Sequence, residues 1–162
     1  MSEFDFVTTP DNASGKRALL DRRQDYRRFH ALTTRWQDND VYGHVNNANY
    51  YSFFDTAVNA ALIEEGLLDP RSSPRICLVV ETACRYFEPL SFPERIDAGL
   101  RVERLGVSSV RYGIGLFRDG SEAASAQGHF VHVCVDSVTR QSTPFPDEWR
   151  NYLTSLVRRP RQ

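Results

Sequence analysis

Between Asn47 and Glu65 the chain reads NANYYSFFDTAVNAALIEE, and this stretch limits what it can fold into more than any other. Tyr50, Phe54, Ala57, Val58, Ala61 and Leu62 recur at helical spacing. Asn46 or Asn47 suits the N-cap, and Gly66 stands where a helix stops. Tyr51, Phe53 and Ile63 widen the apolar face beyond one stripe, which predicts a helix wrapped by a sheet with little of its surface wet. At a rise of ~1.5 Å per residue such a helix is about 28 Å long, enough to cross a small domain.

The segments that follow supply the sheet. ICLVVETACRYF (76–87), RIDAGLRVERL (95–105), VSSVRYGIGLF (107–117) and EAASAQGHFVHVCV (122–135) read as strands, separated by Pro89 to Pro93, by Gly106 and by Asp119-Gly120, a hairpin signal. A further strand fits Arg28 to Gln37, ending at the turn Asp38-Asn39-Asp40. Strands joined by tight turns are antiparallel, so the pattern is α+β, a long helix against a largely antiparallel sheet. Gly113 and Gly115 share a strand face and are expected to let the helix pack closely. Asp147 to Val157 reads as a closing helix capped near Asp147. With 162 residues there is room for one domain, which excludes separate cofactor and substrate domains. The expected division is an N-terminal arm over 1–24, mobile or a short docking helix, a single domain over 25–157, and a tail over 158–162.

Charge and motifs exclude several function classes. Twenty basic residues against twenty-one acidic ones give a net charge of -1, so no global field favours a nucleic acid or an anionic membrane. No run approaches the ~18 apolar residues of a membrane span, and the polar, acidic start is unlike a signal peptide, so a soluble cytoplasmic protein is expected. Cys77, Cys84 and Cys134 lie among apolar residues and read as buried free thiols, with no disulfide framework or CxxC metal clip. His129 and His132, three apart on a strand, fall on opposite faces and cannot ligate one metal together. The dinucleotide fingerprint, the P-loop and the Gly-x-Ser-x-Gly elbow are absent, and Asp38-x-Asp40 fails as a calcium loop. No metal or redox cofactor is expected.

Polar side chains concentrate in Arg35 to Tyr50, RWQDNDVYGHVNNANY, between a strand end and the start of the apolar helix. Helix N-termini carry unpaired N–H groups and partial positive charge, so they hold anions and stabilise oxyanions. A carboxylate near such an end is placed for acyl chemistry. Capping would by itself explain Asp38, Asn46 and Asn47, but it accounts less well for Asp40, His44 and Asn49 occurring together.

The Asp-x-Asp-x-x-Gly-His-Val-Asn-Asn core, followed by a long apolar helix and a meander of strands, resembles the hotdog-fold acyl-CoA thioesterases of the 4-hydroxybenzoyl-CoA thioesterase type. The resemblance runs from about residue 28 to 150 and includes Arg85-Tyr86, Pro89, Phe92-Pro93 and the Pro-x-Pro-Asp at 144–147. It implies a curved, largely antiparallel sheet wrapped around one central helix, joined edge to edge with a second subunit as a homodimer or dimer of dimers, with active sites at the interface. It places the catalytic carboxylate on Asp40, as nucleophile or general base, with His44 and Asn46 as polar neighbours in the catalytic set. It puts Asn47, Tyr50 and Glu81 against the substrate, although Glu81 could equally pair with an arginine, and an oxyanion-binding N–H near Pro74 to Cys77. The family's basic cluster for coenzyme A falls here on Leu105-Gly106-Val107-Ser108-Ser109, so Arg101, Arg104 and Arg111 are the nearest cations, with Arg104 and Arg111 taken as substrate-binding. Coenzyme A enters only as part of the substrate. An enoyl-thioester hydratase on the same fold and a non-catalytic acyl-thioester binding module are the competing readings; neither aspartate stands in the Asp-x4-His spacing expected of the hydratase.

Overall fold

The computed structural model describes residues 20–157. In chain order the main elements are β1 (Arg28–Thr33), α1 (Asn47–Glu64), β2 (Arg75–Tyr86), β3 (Arg95–Leu105), β4 (Ser109–Arg118), β5 (Ala126–Asp136) and α2 (Asp147–Ser155), with short 3₁₀ turns at Arg23–Asp25 and Trp36–Asp38. The strands form one antiparallel sheet in the order β1-β3-β4-β5-β2. This is the expected α+β architecture, a curved sheet against one long helix. The meander β3-β4-β5 makes the centre, and β1 and β2 close the two edges.

Strand alternation explains the core. Ile96, Ala98, Leu100 and Val102 of β3, Val110, Tyr112, Ile114 and Leu116 of β4, and Ala126, Phe130 and Cys134 of β5 point to one face and meet Tyr50, Phe53, Phe54, Ala57, Val58, Ala61 and Leu62 of α1. Burying one such aromatic or branched side chain contributes roughly 1.5–3 kcal/mol, so the helix is held by packing along its whole length. One stripe of α1 nevertheless stays wet: Ser52, Asp55, Thr56, Ile63 and Glu64 are exposed, because the sheet covers a single side of the helix. Gly128 permits the close approach. A Cβ there would lie 2.2 Å from the Ala83 carbonyl and 2.6 Å from the Phe54 ring. Gly113 and Gly115 do not serve the helix as expected; they lie on the opposite face, beneath Arg101 and Glu103 and beneath the Tyr26 ring respectively.

Several boundaries differ from the sequence reading, and hydrogen bonding explains the larger shifts. β1 stops at Thr33 because Thr34 turns its N–H and hydroxyl onto the Glu94 carbonyl and a 3₁₀ turn follows. The Asp119-Gly120 turn forms, with Ser121 N–H donating to Arg118 O and Gly120 at φ 75°, but β5 begins only at Ala126. The residues between pair elsewhere, Ala123 bridging Arg22 and Ala124 donating to Asp21 O. At α2 the N-cap position is Pro146, which supplies no side-chain cap, and Asp147 is the first helical residue.

Residues 21–25, assigned to the arm by sequence, lie against the outer face of the sheet. Buried Asp21 accepts from the Tyr26 hydroxyl at 3.0 Å and pairs with Arg101 at 2.9 Å, beside a small second cluster of Tyr26, Phe117 and Ala124. Residues 1–19 of the expected arm and the tail 158–162 lie outside the described residues. At the far edge, β2 pairs only with β5 among the described strands and exposes Leu78, Val79 and Val80 around a bulge between Val79 and Glu81. No helix among the described residues is long and apolar enough to cross a membrane.

Candidate active site

The loop from Asp38 to Asn46 is built by its own backbone. Asn39 and Val45 form an antiparallel bridge, Asp40 N–H donates to His44 O at 2.8 Å, and Gly43 N–H donates to Asp40 O at 3.1 Å. Gly43 closes this turn at φ 81°, a conformation that costs little only without a side chain. Val45 N–H donates to Leu90 O at 2.7 Å and Asn39 Oδ1 accepts Phe92 N–H at 3.0 Å, fixing the loop on the Pro89–Pro93 segment.

The two aspartates have different work. Asp38 is fully buried and accepts the Arg35 N–H at 2.6 Å and its guanidinium at 2.8 Å, while the Asp38 carbonyl accepts Asn46 N–H and the Asn49 amide at 2.8 and 2.9 Å. The carboxylate in turn raises the Arg35 pKa through that hydrogen bond. Asp40 is half-buried, and its Oδ1 accepts Tyr42 N–H at 2.8 Å.

Asp40 faces a cleft of about 340 Å³ at the N-terminal end of α1, lined by Asp40, Tyr42, His44, Asn47, Tyr50 and Tyr86 together with Val45, Asn46, Glu88 and Pro89. Asn46 is the N-cap, its Oδ1 accepting Ala48 N–H at 3.0 Å. Tyr50 is buried, accepts Leu90 N–H at 3.3 Å and meets the Tyr86 ring edge-on at 4.8 Å between centroids. The Tyr86 hydroxyl donates to Asn47 O at 3.1 Å, tying the end of β2 to the first turn of the helix. Burial raises the pKa of both phenols, so they remain hydrogen-bond donors at neutral pH.

The structure thus brings Asp40, His44, Asn46, Asn47 and Tyr50 together. Of the other three expected residues, it sets Glu81 and Arg111 on the outer face of the sheet and leaves Arg104 outside the cleft lining. There Glu81 accepts from Arg111 at 3.0 Å and from His129 Nε2 at 2.8 Å, and Arg111 also pairs with Glu103 at 3.3 Å. These two partners lower the Glu81 pKa, His129 first and Arg111 second. Arg101 is nine-tenths buried between Asp21 and Glu103, whereas Arg104 is exposed on β3. Tyr42, Tyr86 and Glu88 were not singled out as site residues. Tyr86 and Glu88 reach the cleft only because β2 runs back beside the start of α1, and the Arg85-Tyr86 pair is the local signal that could have pointed there. Among the described residues no group of three or more His, Cys, Asp or Glu side chains is placed to hold a metal ion.

Comparison with known proteins agrees with this fold. The PA5185 protein of Pseudomonas aeruginosa superimposes with a TM-score of 0.84 at 49% identity, covering 86% of this chain and 98% of that one. A 1,4-dihydroxy-2-naphthoyl-CoA hydrolase of Synechococcus elongatus is 28% identical over 124 residues, 74% of this chain and 89% of its own length. Slr0204, a 1,4-dihydroxy-2-naphthoyl-CoA thioesterase from Synechocystis, shares the fold at a TM-score of 0.71 and 18% identity, covering 79% of this chain and 96% of its own. A family model described as the thioesterase-like superfamily matches residues 34–153, from just after β1 into α2. With its central helix, strands β2 to β5 and the Asp40 loop all inside that match, the chain belongs to the thioesterase-like superfamily.

Proposed function

We propose that the protein hydrolyses an acyl-CoA thioester to a free acid and coenzyme A, with Asp40 as the nucleophile. The observation that carries this reading is the Asp40 carboxylate, anchored through Oδ1 by the Tyr42 N–H at the mouth of a cleft that opens on a helix N-terminus. Oδ2 attacks the thioester carbonyl carbon, the tetrahedral oxyanion collapses, and the C–S bond breaks to release the thiolate and leave an aspartyl–acyl anhydride. Water then opens the anhydride and regenerates the carboxylate. The reaction draws on side chains and water alone. Hydroxylamine trapping of Asp40 during turnover tests direct attack; activity without a trapped hydroxamate shows that Asp40 activates water.

The acyl group that fits is short or aromatic. Tyr42, Tyr50 and Tyr86 line a cleft of about 340 Å³, at the small end of ligand sites, and the Synechococcus relative acts on an aryl thioester. Arg104, exposed on β3, is the cation we assign to the coenzyme A phosphates, since Arg101 and Arg111 are committed to carboxylates. We further propose a homodimer joined through β2. Its edge leaves N–H and C=O groups open and carries Leu78, Val79 and Val80, a combination that invites strand pairing with a second copy. Thiol release from a panel of acyl-CoAs tests the assignment. Turnover of aromatic or short acyl-CoAs above long-chain ones supports it, and loss of enoyl absorbance without thiol release would instead reveal a hydratase.

A further inference from the structure

Cys77 on β2 and Cys134 on β5 are direct cross-strand partners. Their side chains share the inner face, where both belong to or pack against the core. Cys134 donates its N–H to Ser108 O at 2.7 Å and accepts from Thr143 N–H at 3.0 Å. Both of its backbone groups therefore point away from β2, and the two cysteines form a non-hydrogen-bonded pair. Cα atoms in such a pair lie about 4.5 Å apart and side chains approach most closely. That separation falls inside the range of about 4.4–6.8 Å spanned by disulfides. The two thiols interact directly: the Cys77 thiol, as hydrogen-bond donor, lowers the pKa of Cys134, with Arg75 adding to the effect, and its own pKa is pushed up by the same bond. Cys77 is half-buried, so a small oxidant has access to the pair.

From this placement we infer that Cys77 and Cys134 are a redox-modification site, oxidised by a hydroperoxide to an intramolecular disulfide that fastens edge strand β2 to β5. One thiolate of the pair attacks a peroxide oxygen, breaking the O–O bond and forming a sulfenic acid. The second thiolate attacks that sulfur, the S–S bond forms, and the hydroxyl leaves as water after protonation. The two cysteines together lose two electrons and two protons, and hydrogen peroxide becomes two waters. Cys84 takes no part: it stands opposite Gly128, and burial pushes its thiol up to about 12.

The inference is independent of thioester hydrolysis and is tested without it. The purified full chain is titrated with hydrogen peroxide, and the remaining thiols are counted under denaturing conditions. The free-thiol count should fall from three to one, with the mass lower by two hydrogens, no crosslinked species on a non-reducing gel, and full recovery with dithiothreitol. Cys77 and Cys84 share one tryptic peptide between Arg75 and Arg85, so the bond is mapped in Cys84→Ser, where the linked peptides must be those carrying Cys77 and Cys134. Cys77→Ser should abolish the linkage. Persistence of three thiols, a bond that includes Cys84, an interchain crosslink, or sulfinic acid at Cys77 with no disulfide would each overturn the proposal.

Discussion

The buried Asp38 carboxylate is bound to Arg35 twice, through the backbone N–H at 2.6 Å and the guanidinium at 2.8 Å, and so braces the loop that presents Asp40. Replacing Asp38 by Ala leaves the Arg35 N–H without its acceptor and opens a gap under the loop. The expected cost is about 1–3 kcal/mol, read as a lower Tm and denaturation midpoint, with activity falling because the loop loses its geometry. An unchanged Tm in Asp38→Ala would mean that the brace is dispensable.

The bond from the Tyr86 hydroxyl to Asn47 O joins β2 to α1 at the cleft. Tyr86→Phe keeps the ring against Tyr50 and removes only the bond. Stability should drop by about 0.5–1.5 kcal/mol, and kcat/KM should fall several-fold as the helix end loses its anchor. Wild-type kcat/KM in this variant would remove Tyr86 from the site.

His132 gives the protein an acid-labile element. Its ring is buried, and that burial lowers its pKa from 6.5 to about 4. Between those values the unfolded chain binds a proton that the folded chain does not, so stability must rise with pH across this window. The contribution is complete above pH 6.5 and disappears as pH falls through about 4, a swing of roughly 3 kcal/mol. Denaturant titrations at intervals across that range should show the loss, and His132→Gln should flatten it. A His132 resonance titrating near 6.5 in the folded protein would contradict the assignment.

Val80 stands at the bulge of β2 and is 62% exposed. A lysine there should cost the fold less than about 0.5 kcal/mol, because the site is exposed, yet place like charges where two β2 edges would meet in the proposed dimer. Light scattering on Val80→Lys should report monomers where the parent chain forms dimers. A parent chain that is itself monomeric would rule out the β2 interface.

The helix and the sheet were legible because their signals are local and periodic. α1 begins at Asn47 and ends one residue before the expected Glu65, and β3 spans the expected 95–105. The faces of the strands were harder to read. Parity placed His129 and His132 on opposite sides correctly, but the bulge between Val79 and Glu81 breaks the alternation in β2, and the partners of Glu81 come from β4 and β5. Gly113 and Gly115 were assigned to the helix because their shared face does not say which side the helix covers. In the site, the density of polar residues located the loop, while the difference between Asp38 and Asp40 lies in which carboxylate the fold buries. Tyr86 and Glu88 are some forty residues away in the chain and enter the cleft through topology alone.

The most direct measurement is the steady-state kinetics of Asp40→Asn on the best acyl-CoA from the panel, beside its Tm. The asparagine is nearly isosteric and can still accept the Tyr42 N–H, but it cannot attack a thioester. The account predicts kcat lower by about 100-fold or more, with KM within a few-fold of the parent and an unchanged Tm. Full activity in Asp40→Asn would contradict it.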